Sequence, residues 1–337
     1  MLIVVLAFFL LNTSQLANTV AAQENEKLNE SLIATLLTFK EDQSKALAFL
    51  NTKQESLTSS LSKRMMMEAE KTINTSNISP ALYFYSLAKY VADQVNDKGL
   101  QAGALYKLGW IYNIKKDFPK AIDSFTQSEQ MFEELIGENV TDQMQARRLL
   151  SKVLYFHGRV YAEQDDLKNA IEFYTRSMKL CEETGSKADL LYNLYDLAPL
   201  YIRTGDYQKA KEVAQKSLSL SLDLEGSKET SALAARVKAN AWEHLGFLTA
   251  IGGDDTLGLE YLQKALSLSM KLDAGVSQKA ITAGILIDIG QVYHLISEYK
   301  QALNYYAQAM KIAQNLNNKT PYARVLTKLS ALYEEQG

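Results

Sequence analysis

Five segments of this chain repeat one pattern, and that recurrence limits the possible fold more than any other feature. They read LYKLGWIYNIKKDFPKAIDSFTQS from Leu105, LYFHGRVYAEQDDLKNAIEFYTRS from Leu154, LYDLAPLYIRTGDYQKAKEVAQKS from Leu194, WEHLGFLTAIGGDDTLGLEYLQKA from Trp242 and LIDIGQVYHLISEYKQALNYYAQA from Leu286. Each holds a small residue: Gly109, Gly158, Ala198, Gly246 and Gly290. Three residues on comes Tyr112, Tyr161, Tyr201, Thr249 or Tyr293. Further on come Ala121, Ala170, Ala210, Gly258 or Ala302, then Phe125, Tyr174, Ala214, Leu262 or Tyr306, then Ser128, Ser177, Ser217, Ala265 or Ala309. Within each half the positions fall three or four apart, which makes one stripe on a helix. Small residues on one helix and aromatic residues on the next predict two helices packed closely. Between them Asp117, Asp165-Asp166, Gly205-Asp206, Gly253-Asp254 or Ser297-Glu298 suits a tight turn and a following helix N-terminus.

A degenerate unit precedes the five, with Ala69 at the small position and Ala81, Tyr85 and Ala88 at the later ones. Another begins at the other end, where Leu329, Ser330, Tyr333 and Gly337 match a first helix and its turn. These segments resemble tetratricopeptide repeats, and the Leu-Gly-x-x-Tyr, Ala and Phe/Tyr positions carry the resemblance. It implies an all-α fold, a right-handed α-α superhelix (a solenoid) of antiparallel helix pairs. Successive small positions lie between 40 and 49 residues apart, against about 34 for the commonest form of this repeat. The first helix and turn are expected to keep their length. The extra residues then fall after the second stripe, in segments such as Ser217 to Lys238 and Ser128 to Ser151. The long period resembles the arrays in extracytoplasmic parts of bacterial sensor histidine kinases, and also cytoplasmic arrays such as kinesin light chains.

Three regions follow: residues 1–22 as a signal segment, 23–62 as a helical cap and 63–337 as the repeat array. Met1 to Leu11 is almost wholly apolar, and Val20 and Ala22 satisfy the small-residue rule of a cleavage site. No Lys or Arg precedes Lys27, which departs from the signal pattern. The apolar run is too short to cross a bilayer. Export to the periplasm, or to the extracytoplasmic face of a bacterial inner membrane, is the expectation. In the cap, Leu28, Leu32, Leu36, Phe39, Leu47, Leu50 and Leu57 suit one or two helices, and Asn74 to Pro80 reads as a turn.

Little in the sequence suggests chemistry. A net charge of −3 argues against a nucleic-acid partner, because phosphate binding needs a basic face. A single cysteine, Cys181, excludes a disulfide within one chain. No P-loop, HExxH, nucleophile elbow or GxGxxG is present. His157, His244 and His294 fall at three different repeat positions and share no face. Gly252-Gly253-Asp254-Asp255 sits where the repeat needs a turn. The expectation is therefore a non-enzymatic chain with no cofactor, no metal site and no catalytic residue, any kinase activity lying in a further C-terminal part. The partner would be a protein or peptide segment.

The resemblance also implies where that segment binds. First helices of such arrays line a concave groove, and the positions flanking the core stripe point into it. In this sequence they are Tyr106, Trp110, Asn113, Tyr155, Arg159, Tyr192, Tyr195, Arg203, Phe247, Ile287, Gln291 and His294. Aromatic residues and arginine are enriched at binding hot spots. The lysine and asparagine pattern by which some relatives clamp a chaperone tail is absent. Pro199, just after Ala198, removes the helical hydrogen bond to the carbonyl of Tyr195 and predicts a kink. Taken together these features suggest the sensory front part of a longer receptor, such as a sensor histidine kinase. A free-standing exported scaffold or assembly factor is the alternative.

Overall fold

A computed structural model describes residues 21–73, 77–138, 143–226, 228, 230–272, 275–316 and 319–336. Residues 1–20 of the signal segment, part of the 74–80 turn and Gly337 lie outside the described residues. The chain divides into two compact units, Met1–Val160 and Tyr161–Gly337, and the division falls within one helix.

The first unit opens with α1 (21–38), α2 (Gln43–Asn51) and a 3-10 turn at Gln54–Ser56, over the stretch read as a cap. Then come α3 (Ser59–Thr72), α4 (Ser79–Gln94), α5 (Lys98–Ile114), α6 (Phe118–Gly137) and α7 (Gln143–Glu163). The second unit continues with α8 (Leu167–Thr184), α9 (Lys187–Arg203), α10 (Tyr207–Asp223), α11 (Ser231–Ile251), α12 (Asp255–Ser269), α13 (Val276–Leu295), α14 (Tyr299–Ala313) and α15 (Thr320–Gln336). No strand occurs among the described residues. Pairing follows the sequence pattern: α3 packs on α4, α5 on α6, α9 on α10, α11 on α12 and α13 on α14.

The stripe residues make the pairs. Phe125, Tyr174, Leu262 and Tyr306 are buried on the second helices, as are Ala121, Ala170, Ala210 and Ala302 behind them. The glycines opposite leave no room for a side chain. A Cβ on Gly109 would sit 2.8 Å from the Phe125 ring, and one on Gly290 would sit 2.7 Å from the Tyr306 ring. Where the small residue is Ala198, the residue at the aromatic position is Ala214, so the added methyl on the first helix is met by a smaller side chain on the second. Serine hydroxyls exploit the same close approach. Ser128 Oγ donates to the carbonyl of Ala102 at 2.8 Å, and Ser62 Oγ donates to the carbonyl of Ala88 at 2.8 Å.

The turn recurs as closely as the core. The residue seven beyond the small position is left-handed each time: Lys116, Asp165, Gly205, Gly253 and Ser297. The next backbone N–H donates to the carbonyl of Tyr112, Tyr161, Tyr201, Thr249 or Tyr293, the six-residue closure of a Schellman motif. Those tyrosines therefore serve the turn with their main chains. Asp117, Asp166, Asp206 and Asp254 then cap the following helix by accepting from the N–H three residues on. Glu298, a residue too long for the same geometry, makes no such cap bond.

One expectation is corrected here. First helices do not keep a constant length: α5 and α9 have 17 residues, whereas α7 and α11 have 21. The extra residues are shared between the connection and an added turn at the N-terminus of the next first helix. Pro199 lies inside α9, and the helix runs on through it to Arg203.

The close-packed glycines give a test with an internal control. Gly290→Ala is expected to lower unfolding free energy by about 1–2 kcal/mol, since overpacking outweighs the better helix propensity of alanine. Gly103→Ala, whose Cβ would meet only the end of Met66 at 3.6 Å, is expected to raise it by up to about 1 kcal/mol. Denaturant unfolding of both variants measures the difference, and effects of the same sign would contradict this account of the pairing.

Candidate functional site

In the second unit the first helices of successive pairs touch one another: α9 with α11, α11 with α13 and α13 with α15. Their shared face carries an unusual density of polar groups. A pocket of about 340 Å³ is lined by Tyr195, Asp196 and Pro199 of α9, Arg236, Asn240, Glu243 and His244 of α11, Ala280, Ile281 and Gly284 of α13, and Arg324 of α15.

Its floor carries two buried carboxyls, with the half-exposed Arg324 beside them. Glu243 is 4% exposed and Asp288 is 7% exposed. Arg324 Nη2 donates to Asp288 Oδ1 at 2.7 Å, and Asn240 Nδ2 donates to Glu243 Oε2 at 3.0 Å. Burial pushes the Glu243 carboxyl well above the usual carboxylate range, and the neighbouring charge of Asp288 adds to this against the pull of Arg324. Asp288 is also raised by burial, but Arg324 and a hydrogen bond from Glu243 oppose the shift. Of the two carboxyls Glu243 is the one pushed further towards its protonated form, while Arg324 balances the charge of Asp288. Asp288 in turn holds the Arg324 guanidinium firmly charged. Burial first and Arg324 second push His244 down to about 4, so its imidazole is neutral at pH 7. Burial also lowers Lys328, one turn beyond Arg324.

The upper wall is set by Arg236. Its guanidinium lies 5.6 Å over the ring of Tyr195, a cation–π geometry. Burial raises the Tyr195 phenol despite Arg236. Arg236 Nε and Asn240 Oδ1 are both buried without a hydrogen-bond partner. Pro199 supplies no N–H to the carbonyl of Tyr195, so α9 is short of one hydrogen bond where it borders the pocket.

The residues singled out from the sequence are scattered by comparison. In the first unit Tyr106 packs on Phe125 and Phe156, Tyr155 meets Phe156 edge-on and Arg159 lies over the Phe156 ring. Trp110 is half-buried against the core of that unit. Asn113 is buried, and its side-chain oxygen has no partner. In the second unit Tyr195 lines the pocket. Tyr192 is exposed, while Phe247 and Gln291 are half-buried. Arg203 pairs with Asp165, and His294 Nε2 lies 2.8 Å from Glu335. Ile287 is wholly buried against Tyr306 and Val325 and presents nothing to a ligand, because α15 covers that side of α13.

Asn240, Glu243, His244, Asp288 and Arg324 were not singled out. A signal for them exists in the repeat register. Glu243 stands three residues before the small position, where the other units have Tyr106, Tyr155, Tyr195 and Ile287. Asn240 and Arg324 share the position six before it, and His244 and Asp288 the position two before it. A carboxylate in a column of tyrosines marks a departure from the repeat's own requirements.

Comparison with known proteins agrees with this architecture. The Tetratricopeptide repeat family model matches residues 149–223 and 237–315, so the chain carries tetratricopeptide repeats over both stretches. No curated protein matches the chain. Among solved structures it is similar to the apo form of RapI, with 12% identity, TM-score 0.55, 75% of this chain and 97% of that one. It is similar to BtubC from P. vanneervenii, with 17% identity, TM-score 0.52, 74% of this chain and 90% of that one. It is also similar to a Rap protein complexed with competence and sporulation factor, with 15% identity, TM-score 0.51, 88% of this chain and 80% of that one. At these identities the likeness shows the fold. Among the described residues no group of three or more His, Cys, Asp and Glu is placed to hold a metal ion, and no helix is long and apolar enough to cross a membrane.

The raised Glu243 carboxyl makes stability depend on pH. A carboxyl raised in the folded state binds a proton that the unfolded chain has lost, so its contribution declines as pH rises above the ordinary carboxylate range. His244 acts in the opposite sense, losing stability as pH falls from 6.5 towards about 4. Glu243→Gln retains the shape without the titration. Its stability relative to wild type is expected to improve from pH 5.5 to pH 8.5 by on the order of 1 kcal/mol. The difference between the two proteins cancels the shared dependence of His244. A gap that does not change with pH, measured by denaturant unfolding, would show that Glu243 is not protonated in the fold.

Proposed function

We propose that this chain is an extracytoplasmic protein- or peptide-binding module, and that the first-helix face of its second unit holds the bound segment. The observation that carries the reading is the pocket around Glu243. In the other repeats the column of Glu243 holds tyrosines or isoleucine. Here the face carries buried charge, an arginine without a carboxylate partner and two unpaired buried polar atoms. Buried ionic clusters are weak sources of stability, so recognition is the better account of them. One solved structure of similar fold is of a Rap protein complexed with competence and sporulation factor, which supports a ligand-binding use of such an array. Tyr195 is the expected anchor, combining an aromatic body with a polar tip beside Arg236.

The finer reading is that the module is exported and forms the sensory part of a longer signal-transduction receptor such as a sensor histidine kinase. The apolar run from Met1 to Leu11, with Val20 and Ala22, supports export, and the long repeat period supports the receptor. A free-standing exported scaffold would share the pocket and lack an output domain. The reading frame downstream of Gly337 separates the two.

Two measurements test the proposal. Peptides selected from a random library on the purified chain are expected to bind Tyr195→Ala at least tenfold more weakly at unchanged helicity, a typical hot-spot loss of about 2 kcal/mol. Undiminished affinity in titration calorimetry would move the site elsewhere. Residues 1–22 fused to alkaline phosphatase are expected to yield active enzyme in a bacterial host, and inactive enzyme retained in the cytoplasm would refute export.

A further inference from the structure

The chemistry of the pocket points to one class of ligand group. Three of its four formally acidic or basic neighbours on α11, α13 and α15 are already satisfied. Asp288 is taken by Arg324 at 2.7 Å, and Glu243 accepts from Asn240 while donating to Asp288. Asp196, on the α9 wall, has an interaction of its own. Arg236 is the exception. It has no carboxylate partner, its Nε is buried without an acceptor, and it meets Tyr195 over the ring and at the phenol oxygen.

Space is present beside these donors. Gly284 lies on α13 facing Glu243, and a Cβ there would sit 3.0 Å from Glu243 Oε1 and 3.8 Å from Arg324 Nη1. With no side chain at this position, the part of the Arg324 fork that does not serve Asp288 is left bordering the pocket. Tyr195 adds a hydroxyl to the same pocket. Ala280, Ile281 and Pro199 offer an apolar lining for an attached carbon chain. The unmet capacity is therefore rich in donors and carries one guanidinium charge without a counter-ion.

We propose that this pocket takes a carboxylate presented by the bound segment, received by Arg236 and by the free edge of Arg324 over Gly284. The inference rests on the reading that this face binds a peptide or protein. A planar carboxylate suits the guanidinium fork, and its single charge balances the one uncompensated arginine. A phosphate dianion would bring a second charge towards Asp288 and Asp196 with nothing to balance it. A cation would meet Arg236 and Arg324 at once. The carboxylate belongs to a chain terminus or to an aspartate or glutamate side chain, and the experiment separates these.

The 337-residue chain, with its three histidines carrying labelled rings, is titrated by NMR with four probes. These are N-acetyl-leucine, with a terminal carboxylate, N-acetyl-glutamic acid α-amide, with a side-chain carboxylate, N-acetyl-leucinamide, with none, and inorganic phosphate. The His244 signal is expected to move saturably with at least one of the two carboxylates and at least tenfold less readily with the amide. The acid that binds more tightly identifies the source. A bound anion near His244 should also raise the pH at which that ring titrates from about 4. Arg236→Gln should weaken the carboxylate response at least tenfold. Gly284→Ala, which sets a methyl against the Glu243 carboxyl and the Arg324 fork without removing a charge, should do the same and guards against misfolding of the arginine variant. Equal responses to acid and amide would overturn the carboxylate and leave peptide binding standing. So would tighter binding of phosphate, or silence towards all four probes while library-selected peptides still depend on Tyr195. Loss of that dependence on Tyr195 would instead overturn the placement of the peptide site itself.

Discussion

Everything else in this molecule depends on the contact between a residue without a side chain, or nearly so, and the ring or small residue facing it across a helix pair. Gly109 against Phe125 and Gly290 against Tyr306 bring two helices so close that no Cβ can be added. Gly246 takes this further, since a Cβ there would fall 2.8 Å from the carbonyl oxygen of Gly258, so that backbone meets backbone. Because protein interiors are packed nearly as densely as organic crystals, each such contact fixes the distance and crossing of its pair. The fixed pair then presents a predictable face to the next first helix. The turn acts on the same contact from outside. A left-handed residue and a capping aspartate return the chain in register, so that the aromatic position arrives opposite the glycine.

Once these two devices are satisfied, the outer positions of the first helices are relieved of structural duty. In most units those positions hold tyrosines and other large side chains that pack on their neighbours, as Tyr106 does on Phe156 and Phe125. The second unit uses the same columns differently, placing Asn240, Glu243, His244, Asp288 and Arg324 there. Substitution in these columns changes the surface while the stripe beneath it stays intact. This is how a repeat fold can acquire a specific site without altering its architecture.

The fold was legible because its determinants are periodic. Gly290, Tyr293, Ala302 and Tyr306 recur at fixed offsets, and each offset has one steric meaning. The turn was legible for the same reason, as aspartate recurs where a helix must begin. The lengths of the first helices were not, because an added turn at a helix N-terminus is exposed and leaves no mark in the stripe. The polar pocket was missed for a more instructive reason. Attention to the positions flanking the stripe, weighted towards aromatic residues and arginines, took in Tyr155 and Ile287 but passed over Glu243 in the same column. Whether such a position faces solvent or a neighbour depends on the next helix, so Ile287 disappears beneath α15 while Glu243 borders a cavity. Departure from the column's prevailing residue type was the better guide.

That departure also bears on the purpose of the cluster. Two buried carboxyls beside a half-exposed guanidinium recover through mutual attraction at most about what their desolvation costs, and apolar replacements are often as stable or more so. The neighbouring pairs show what an apolar solution looks like here, since Ile285, Ile289 and Val292 fill the rest of α13 with a buried surface. Stability alone would have favoured continuing that pattern through Asp288. The raised Glu243 carboxyl points the same way. It leaves the floor of the pocket with charge balanced at Arg324 and with Arg236 unanswered above it. A cluster arranged only to hold helices together would be expected to close upon itself, as Arg203 does with Asp165 on the surface. This one stops a partner short, and the shortfall lies in a pocket to which Gly284 adds no side chain.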